Sequence, residues 1–249
     1  FGGYITYIGR GIDIEYDQLS VLSAKTEAAS MAKVDLPDNE TSLHIPSWSV
    51  FTLDHDWMYV SGTSPLDSSY APRDLVNVDL PHGDSSASIR LDQSVAIQLK
   101  QLFAMAEADG YPLMISSAYR SISDQQELYD EFTLIRGQAM ADQYVAAPAT
   151  SEHHTGLAVD ITDASDSCSI DTNACNLSPP TATWLAEHAP DYGFIIRYPS
   201  GKQPLTGIAY EPWHLRYLGV VLARQITASG LTLDEFIDQV APGYNKENR

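Results

Sequence analysis

A short segment around residue 160 alternates apolar side chains with very small ones, which is typical of a β-strand. Three apolar residues share one face of this strand: Leu157, Val159 and Ile161. The other face carries Asp160 between small neighbours, Gly156 and Ala158, which leave open space in front of the carboxylate. An isolated carboxylate on an inner strand is costly unless it is paired or bound to a cation. We therefore expect Asp160 to face a partner, and His153, just before the strand, could reach the same place.

A second segment, over 211–217, shows a similar alternation. Its apolar residues, Trp213, Leu215 and Tyr217, alternate with His214 and Arg216. Glu211 lies three positions before His214, which on a regular strand would put the two side chains on opposite faces. Pro212 lacks the N–H that a sheet ladder needs and favours a bend at this point. Such a bend would bring Glu211 and His214 together.

Two imidazoles and one carboxylate, from His153, Asp160 and His214, predict a three-ligand zinc site with a fourth position open to water. Glu211 would then be the nearby base. Each residue also has a simpler explanation, because most single histidines are ordinary surface or core residues. Asp160 could cap a turn or form a salt bridge, and Glu211 could be an exposed charge. The occurrence of all four together favours the metal site.

Helices and strands alternate irregularly along the rest of the chain. Apolar periodicity predicts helices over 92–109, 181–189 and 218–229. Capping residues predict two more: one that begins at a Ser123–Gln126 capping pair and ends at Gly137, and one that begins at a Thr232–Glu235 capping box. Further strands are predicted at 4–8, 12–16, 57–60, 112–119, 194–198 and 213–217. The irregular order indicates an α+β fold. We expect a small antiparallel sheet that carries the zinc site, flanked by helices, with an N-terminal appendage over 1–56.

Composition excludes several partners. The 249 residues carry 14 Lys and Arg against 33 Asp and Glu, a formal net charge of −19. This charge repels phosphate backbones, so we expect no nucleic-acid partner. The apolar runs are much shorter than the roughly 20 residues of a transmembrane helix, so we expect no transmembrane segment.

The chain begins at Phe1 with no leader, so we expect a mature or trimmed form without its targeting segment.

The two cysteines, Cys168 and Cys175, lie seven positions apart in a loop-like stretch that could close into a disulfide. Two unpaired small residues are the alternative. A disulfide would indicate an oxidising, extracytoplasmic compartment.

Three blocks of residues, in this order, resemble the VanY-type D-alanyl-D-alanine carboxypeptidases, zinc peptidases of bacterial cell walls in the wider lysostaphin and hedgehog group. The blocks are Ser117-Ala118-Tyr119-Arg120-Ser121 with Gln125 and Leu128-Tyr129, then Ser151-x-His153-x-x-Gly156-x-Ala158-x-Asp160, then Glu211-Pro212-Trp213-His214. The resemblance spans about 57–220. It implies a catalytic domain over 57–249 and leaves 1–56 without an assigned role.

The resemblance also implies roles for single residues. His153, Asp160 and His214 would hold zinc, and Glu211 would be the general base and acid. Arg120 would bind either the carbonyl oxygen or the terminal carboxylate of the substrate. Ser151 and Gln125 match positions that line the substrate pocket, whereas His154 occupies a variable position. The implied reaction is release of the terminal D-alanine from peptidoglycan stem peptides, outside the cytoplasm.

Other functions stay open at this point. The same scaffold could act as an L,D-carboxypeptidase or a D,D-dipeptidase, a choice that depends on pocket shape. A non-catalytic, zinc-containing wall-binding module is a second alternative, although such a module needs neither Glu211 nor Arg120. A serine D,D-carboxypeptidase is a third, because Ser30-Met31-Ala32-Lys33 fits the S-x-x-K pattern. The companion S-D-N and K-T-G motifs are absent from the sequence, which argues against the serine enzyme.

Overall fold

The structure is a computed structural model that describes residues 4–6, 13–15, 58–83, 88–164 and 177–240. The chain divides into two compact units, Phe1–Leu53 and Asp54–Arg249. In the first unit, two predicted strands form an antiparallel pair, β1 (Tyr4–Thr6) and β2 (Asp13–Glu15). Among the described residues, none of the helices has the length and apolar character needed to cross a bilayer.

The second unit is built around a four-stranded antiparallel sheet, so the predicted α+β fold is confirmed. Its strands are β5 (Leu113–Ser117), β6 (Ala158–Asp163), β7 (Phe194–Tyr198) and β8 (Glu211–Tyr217). They lie in the order β5-β6-β8-β7, which puts β6 and β8 at the centre. A separate antiparallel pair precedes them, β3 (Leu75–Asn77) and β4 (Arg90–Asp92).

Seven α-helices are described around the sheet: α1 (Gln93–Ala108), α2 (Ile122–Arg136), α3 (Gln138–Tyr144), α4 (Pro179–His188), α5 (Gln203–Thr206), α6 (Val220–Ser229) and α7 (Leu233–Val240). Two 3-10 helices, Glu152–Thr155 and Ala189–Tyr192, lead into β6 and β7. The predicted helices at 92–109, 181–189 and 218–229 are confirmed as α1, α4 and α6. The Thr232–Glu235 capping box is also confirmed, with both reciprocal bonds present at 2.8 and 3.1 Å.

The core lies between α1 and one face of the sheet. The buried side of α1 consists of the residues that its periodicity predicted: Val95, Leu99, Leu102, Phe103 and Ala106. They belong to the same hydrophobic cluster as Leu157, Val159 and Ile161 of the β6 segment, which are all fully buried. The alternation in β6 therefore separates a packed core face from the face that carries Asp160.

Two local predictions were wrong. Helix α2 is capped by Ser121 and Asp124 instead of Ser123 and Gln126, because Ser121 is the last extended residue before the helix. Residues 58–60 form no strand. Their polar groups bond to side chains instead: the Tyr59 hydroxyl donates to Asp234, and the Met58 carbonyl accepts from Arg216.

Gly193, which ends the second 3-10 helix, is expected to be intolerant of alanine. Its φ of +86° is in the left-handed region, and an added Cβ would lie 2.7 Å from the Tyr217 ring and 3.0 Å from the backbone at Gly219. Left-handed strain costs about 1–2 kcal/mol and overpacking a further 1–3 kcal/mol or so. Gly207 is the matched control, because it has a φ of +79° but nothing within 4 Å of an added Cβ.

In urea unfolding, Gly207→Ala should therefore cost only the strain of about 1–2 kcal/mol, and Gly193→Ala clearly more. Equal midpoints for the two variants would show that the Tyr217 contact has no energetic consequence.

Candidate active site

The sheet register brings Asp160 and His214 face to face. Asp160 on β6 is the direct cross-strand partner of His214 on β8. His153 comes from the 3-10 helix that precedes β6, where the Ser151 hydroxyl accepts the His153 backbone N–H and caps the helix. Gly156 then turns the chain into β6 with a φ of +75°, a conformation that suits glycine. The turn at Gly156 lies between His153 and Asp160, whose side chains meet on one face of β6.

His153, Asp160 and His214 form a group that could bind a metal ion, with one ligand atom from each lying within 4.8 Å of the others. Nε2 of His153 is 3.2 Å from Oδ2 of Asp160, and Nδ1 of His214 is 3.1 Å from Oδ1. Nδ1 of His153 bonds to the Ala118 carbonyl at 2.7 Å, so Nδ1 carries the proton and Nε2 is free to act as a ligand.

The electrostatics of the group fit a cation. The buried Oδ1 of Asp160 has Nδ1 of His214 only 3.1 Å away, but in an orientation that does not make a hydrogen bond, an unusual state for a buried carboxylate oxygen. Burial raises the pKa of Asp160, but His153 and His214 outweigh this effect and hold that pKa well below its usual range. Burial lowers the pKa of His153, which favours the neutral ring that a metal ligand requires. Asp160 and His153 therefore have the ionisation states that a divalent cation needs.

His214 lies between two carboxylates, those of Asp160 and Glu152. Burial acts to lower the pKa of His214, but the Asp160 and Glu152 carboxylates on either side raise it to about 9. Such a ring holds a proton when no metal is bound, and a metal ion would replace that proton.

Glu211 reaches the same site through an irregularity in β8. Ile196 pairs with Leu215 and Tyr198 with Glu211, so two steps along β7 correspond to four along β8. The predicted bend around Pro212 is confirmed, and Oε2 of Glu211 lies 3.9 Å from Nδ1 of His214. Burial, supported by Asp160 and opposed by His214 and Arg120, raises the pKa of Glu211 to about 8. A carboxyl group in this range can both accept and donate a proton near neutral pH.

Arg120 stands beside the group on the turn between β5 and α2. Its guanidinium donates to the Gln125 side-chain oxygen and to the Ser117 hydroxyl, both at 2.7 Å. The Gln125 amide donates in turn to the Ala146 carbonyl at 2.6 Å. Within the described part of the chain, no ion pair shorter than 4.0 Å involves Arg120. Its positive charge is therefore held by neutral partners and remains available to an anion.

His154 lies outside the metal-binding group. Its Nε2 accepts the Ala149 N–H at 3.2 Å, and its Nδ1 lies 2.8 Å from the Arg120 carbonyl. These contacts require a neutral ring with the proton on Nδ1, which suits a structural histidine.

A cavity of about 230 Å³ is lined in part by Tyr198, but none of the predicted metal-binding, catalytic or substrate-binding residues lines it. Its lining includes Tyr129, Asp142, Ala146, Thr150, Tyr198 and Ile208. The Tyr198 ring is also 5.0 Å from the His214 ring, measured between centroids, so Tyr198 connects the cavity to the metal-binding group.

A buried charged cluster that the sequence patterns did not reveal lies behind His214. It consists of Glu152, Arg197, Arg216 and Asp234, each less than a tenth exposed. Burial raises the pKa of Glu152, but the charges of Arg197 and Arg216 outweigh it and hold that pKa well below its usual range. The available signal was the presence of single arginines inside two strands that otherwise look apolar, since a buried guanidinium requires a carboxylate partner.

Cys168 and Cys175 lie outside the described residues, so their pairing stays a prediction.

The chain is similar to several known proteins. Residues 88–220 match the family model described as VanY, D-alanyl-D-alanine carboxypeptidase. A D-alanyl-D-alanine carboxypeptidase of Enterococcus faecalis is 34% identical over 74% of this chain and 67% of its own length. The bifunctional D-Ala-D-Ala dipeptidase and carboxypeptidase VanXYC of Enterococcus gallinarum is 32% identical over 73% of this chain and 93% of its own length. The match to YodJ of Bacillus subtilis, at 37% identity, covers 64% of that relative.

Solved structures agree with the sequence matches. The LdcB LD-carboxypeptidase has a TM-score of 0.63 and 35% identity, over 73% of this chain and 85% of LdcB. A VanY D,D-pentapeptidase mutant in complex with Zn(II) has a TM-score of 0.63 and 32% identity, over 74% of this chain and 99% of that protein. With the motif order, the fold and the family model all in agreement, this chain belongs to the VanY family of D-alanyl-D-alanine carboxypeptidases.

Proposed function

We propose that this protein is a zinc-dependent D,D-carboxypeptidase that releases the terminal D-alanine from peptidoglycan stem peptides. The observation that carries the proposal is the placement of Glu211 and Arg120 around one histidine–aspartate–histidine group. A purely structural metal site needs neither a buried base beside the ligands nor an unpaired guanidinium across from them. The related VanY structure in complex with Zn(II) supports zinc as the metal.

In this proposal His153, Asp160 and His214 hold the zinc ion. A zinc ion at this position would lower the pKa of a coordinated water and polarise the scissile carbonyl. Glu211 takes a proton from the attacking water and later delivers it to the amine of the departing D-alanine. Its pKa of about 8, raised mainly by burial, suits both halves of that transfer.

We further propose that Arg120 binds the free carboxylate at the end of the substrate. Burial lowers the pKa of Arg120, while Asp160, Asp124 and Glu211 oppose that shift, and the guanidinium stays charged. Gln125 and Ser117 fix its orientation through their hydrogen bonds. A charged group that requires a free carboxylate would restrict cleavage to the last peptide bond. Gln125 and Ser151 would then complete the wall of the substrate pocket, and the cavity beside Tyr198 would receive the preceding part of the stem peptide.

An L,D-carboxypeptidase is the second candidate. The support for it is the likeness to the LdcB LD-carboxypeptidase, which matches this chain as well as the VanY structure does. The two activities remove the same amino acid from different stem peptides. Action on either substrate fits an extracytoplasmic enzyme, which the predicted Cys168–Cys175 disulfide would also suit.

Mass spectrometry of stem peptides before and after digestion tests the function. Purified pentapeptide ending in D-Ala-D-Ala is expected to lose one alanine, whereas a tetrapeptide ending in a single D-Ala is expected to stay intact. Cleavage of the tetrapeptide alone would favour the L,D activity. Cleavage of neither by the zinc-loaded protein would favour the wall-binding module. Inhibition by penicillin would point instead to serine chemistry.

Metal removal should abolish that activity reversibly. Dialysis against a chelator is expected to stop D-alanine release, and one equivalent of Zn²⁺ should restore it. The folded state should survive, because the described core between α1 and the sheet contains no member of the metal-binding group. Activity that persists in protein shown to be metal-free by elemental analysis would contradict the proposed zinc chemistry.

A further inference from the structure

We infer that Glu152 is a positioning residue for His214: its carboxylate fixes the ring of this proposed metal ligand and selects the tautomer able to bind the ion. This inference rests on the proposed function, because it assigns His214 to the metal. Glu152 is next to His153 in the chain, and its carboxylate contacts Arg197, Arg216 and His214.

Each ring nitrogen of His214 faces a different carboxylate. Oε2 of Glu152 lies 3.3 Å from Nε2 of His214, while Nδ1 of the same ring faces Asp160. An ionised Glu152 can only accept, so this contact places a proton on Nε2. The proton that a metal ion would replace is then the one on Nδ1, and in the metal-binding ring the lone pair is on Nδ1, the nitrogen that faces Asp160. An imidazole that donates its second nitrogen to a carboxylate is also a better metal ligand, since its orientation and basicity are both set.

The other oxygen of Glu152 explains why the carboxylate keeps this orientation. Oε1 accepts from Nε of Arg197 at 2.8 Å and from Nη1 of Arg216 at 2.9 Å. Both arginines and Glu152 are no more than 1% exposed. With Oε1 bound by two guanidinium groups, Oε2 is left for His214. The carboxylate thus cannot rotate away without breaking two buried ion pairs.

A second carboxylate balances the charges of the cluster. Asp234, at the start of α7, accepts from both terminal nitrogens of Arg197 and from the Tyr59 hydroxyl. Two guanidinium groups therefore face two carboxylates, and the cluster is neutral by count. Asp234 belongs to the same buried network as Glu152, but the described hydrogen bonds connect it to His214 through Arg197 and then Glu152. This difference separates a positioning role from a merely structural one.

The matched variants are Glu152→Gln and Asp234→Asn, because each removes one buried negative charge from the cluster. In Glu152→Gln, the two arginines would keep the amide oxygen and turn the NH₂ group towards Nε2 of His214. The ring proton would then move to Nδ1, which removes the lone pair that faces Asp160. We expect the zinc affinity of Glu152→Gln to fall about 10–100-fold. The affinity of Asp234→Asn should fall much less.

Zinc affinity is measured by competition with a chromophoric chelator, without substrate, so that the result does not depend on catalysis. Equal affinities for the two variants would overturn the inference. Wild-type protein that binds no zinc would instead contradict the proposed function, so the two failures are distinguishable.

Nitrogen-15 NMR of the zinc-loaded wild type provides a test that needs no variant and holds even if Glu152→Gln does not fold. The spectrum is expected to show the His214 proton on Nε2. A proton on Nδ1 of zinc-loaded wild type would refute the assigned role of Glu152.

Discussion

Glutamine in place of Glu211 is expected to reduce turnover by about 10²–10⁴-fold, the range that a general base usually contributes. The amide keeps the size of the side chain but cannot take a proton from water or return one to the leaving amine. Zinc content should stay at one equivalent, because the proposed ligands are three other residues. The measurement is the rate of D-alanine release per zinc-loaded molecule, with zinc determined by elemental analysis.

Glu107→Gln is the control for this substitution, since Glu107 is an exposed glutamate in α1. It should turn over like the wild type. Near-normal turnover of Glu211→Gln with full zinc occupancy would remove Glu211 from the mechanism. Loss of zinc from Glu211→Gln would instead mean that this carboxylate supports the metal-binding group.

The sequence was sufficient to predict the strand face on which Asp160 and His214 each lie, because side-chain direction in a strand follows from alternation alone. Asp160 had to oppose the core face of β6, and His214 had to do the same on β8. The approach of Glu211 to His214 was also predictable, since Pro212 interrupts the ladder between them. In each case the information is local, within about seven residues of the site residue.

Features that depend on distant partners were not predictable in the same way. Glu152 is 45 positions from Arg197 and 64 from Arg216, so a sequence pattern cannot assign these ion pairs. Arg216 was seen to alternate with the apolar residues of β8, but its partner could not be named. The predicted cap of α2 was wrong for a local reason. Ser121 and Ser123 are both followed three positions later by a residue that can complete a capping box. Only the backbone conformation at Ser121 decides between them.

Alanine in place of Arg120 is expected to reduce kcat/KM on a free-acid pentapeptide by about 10²-fold or more, the cost of truncating one partner of a buried charge pair. The same peptide with a C-terminal amide should be a poor substrate of the wild type, because it lacks the carboxylate that Arg120 is proposed to bind. Arg120→Ala should therefore lose its preference and cleave both peptides at similar low rates. Zinc content is expected to be unchanged.

Arg73→Ala, which removes an exposed arginine, is the control and should keep the wild-type preference. The ratio of kcat/KM for acid and amide peptides is the quantity that decides. If Arg120→Ala lowers kcat/KM by the same factor on both peptides, the guanidinium acts on the scissile carbonyl oxygen instead, where negative charge develops during the reaction. The restriction to terminal residues would then have to come from the shape of the substrate pocket, because Arg197 and Arg216, the two arginines behind His214, are both paired with Glu152.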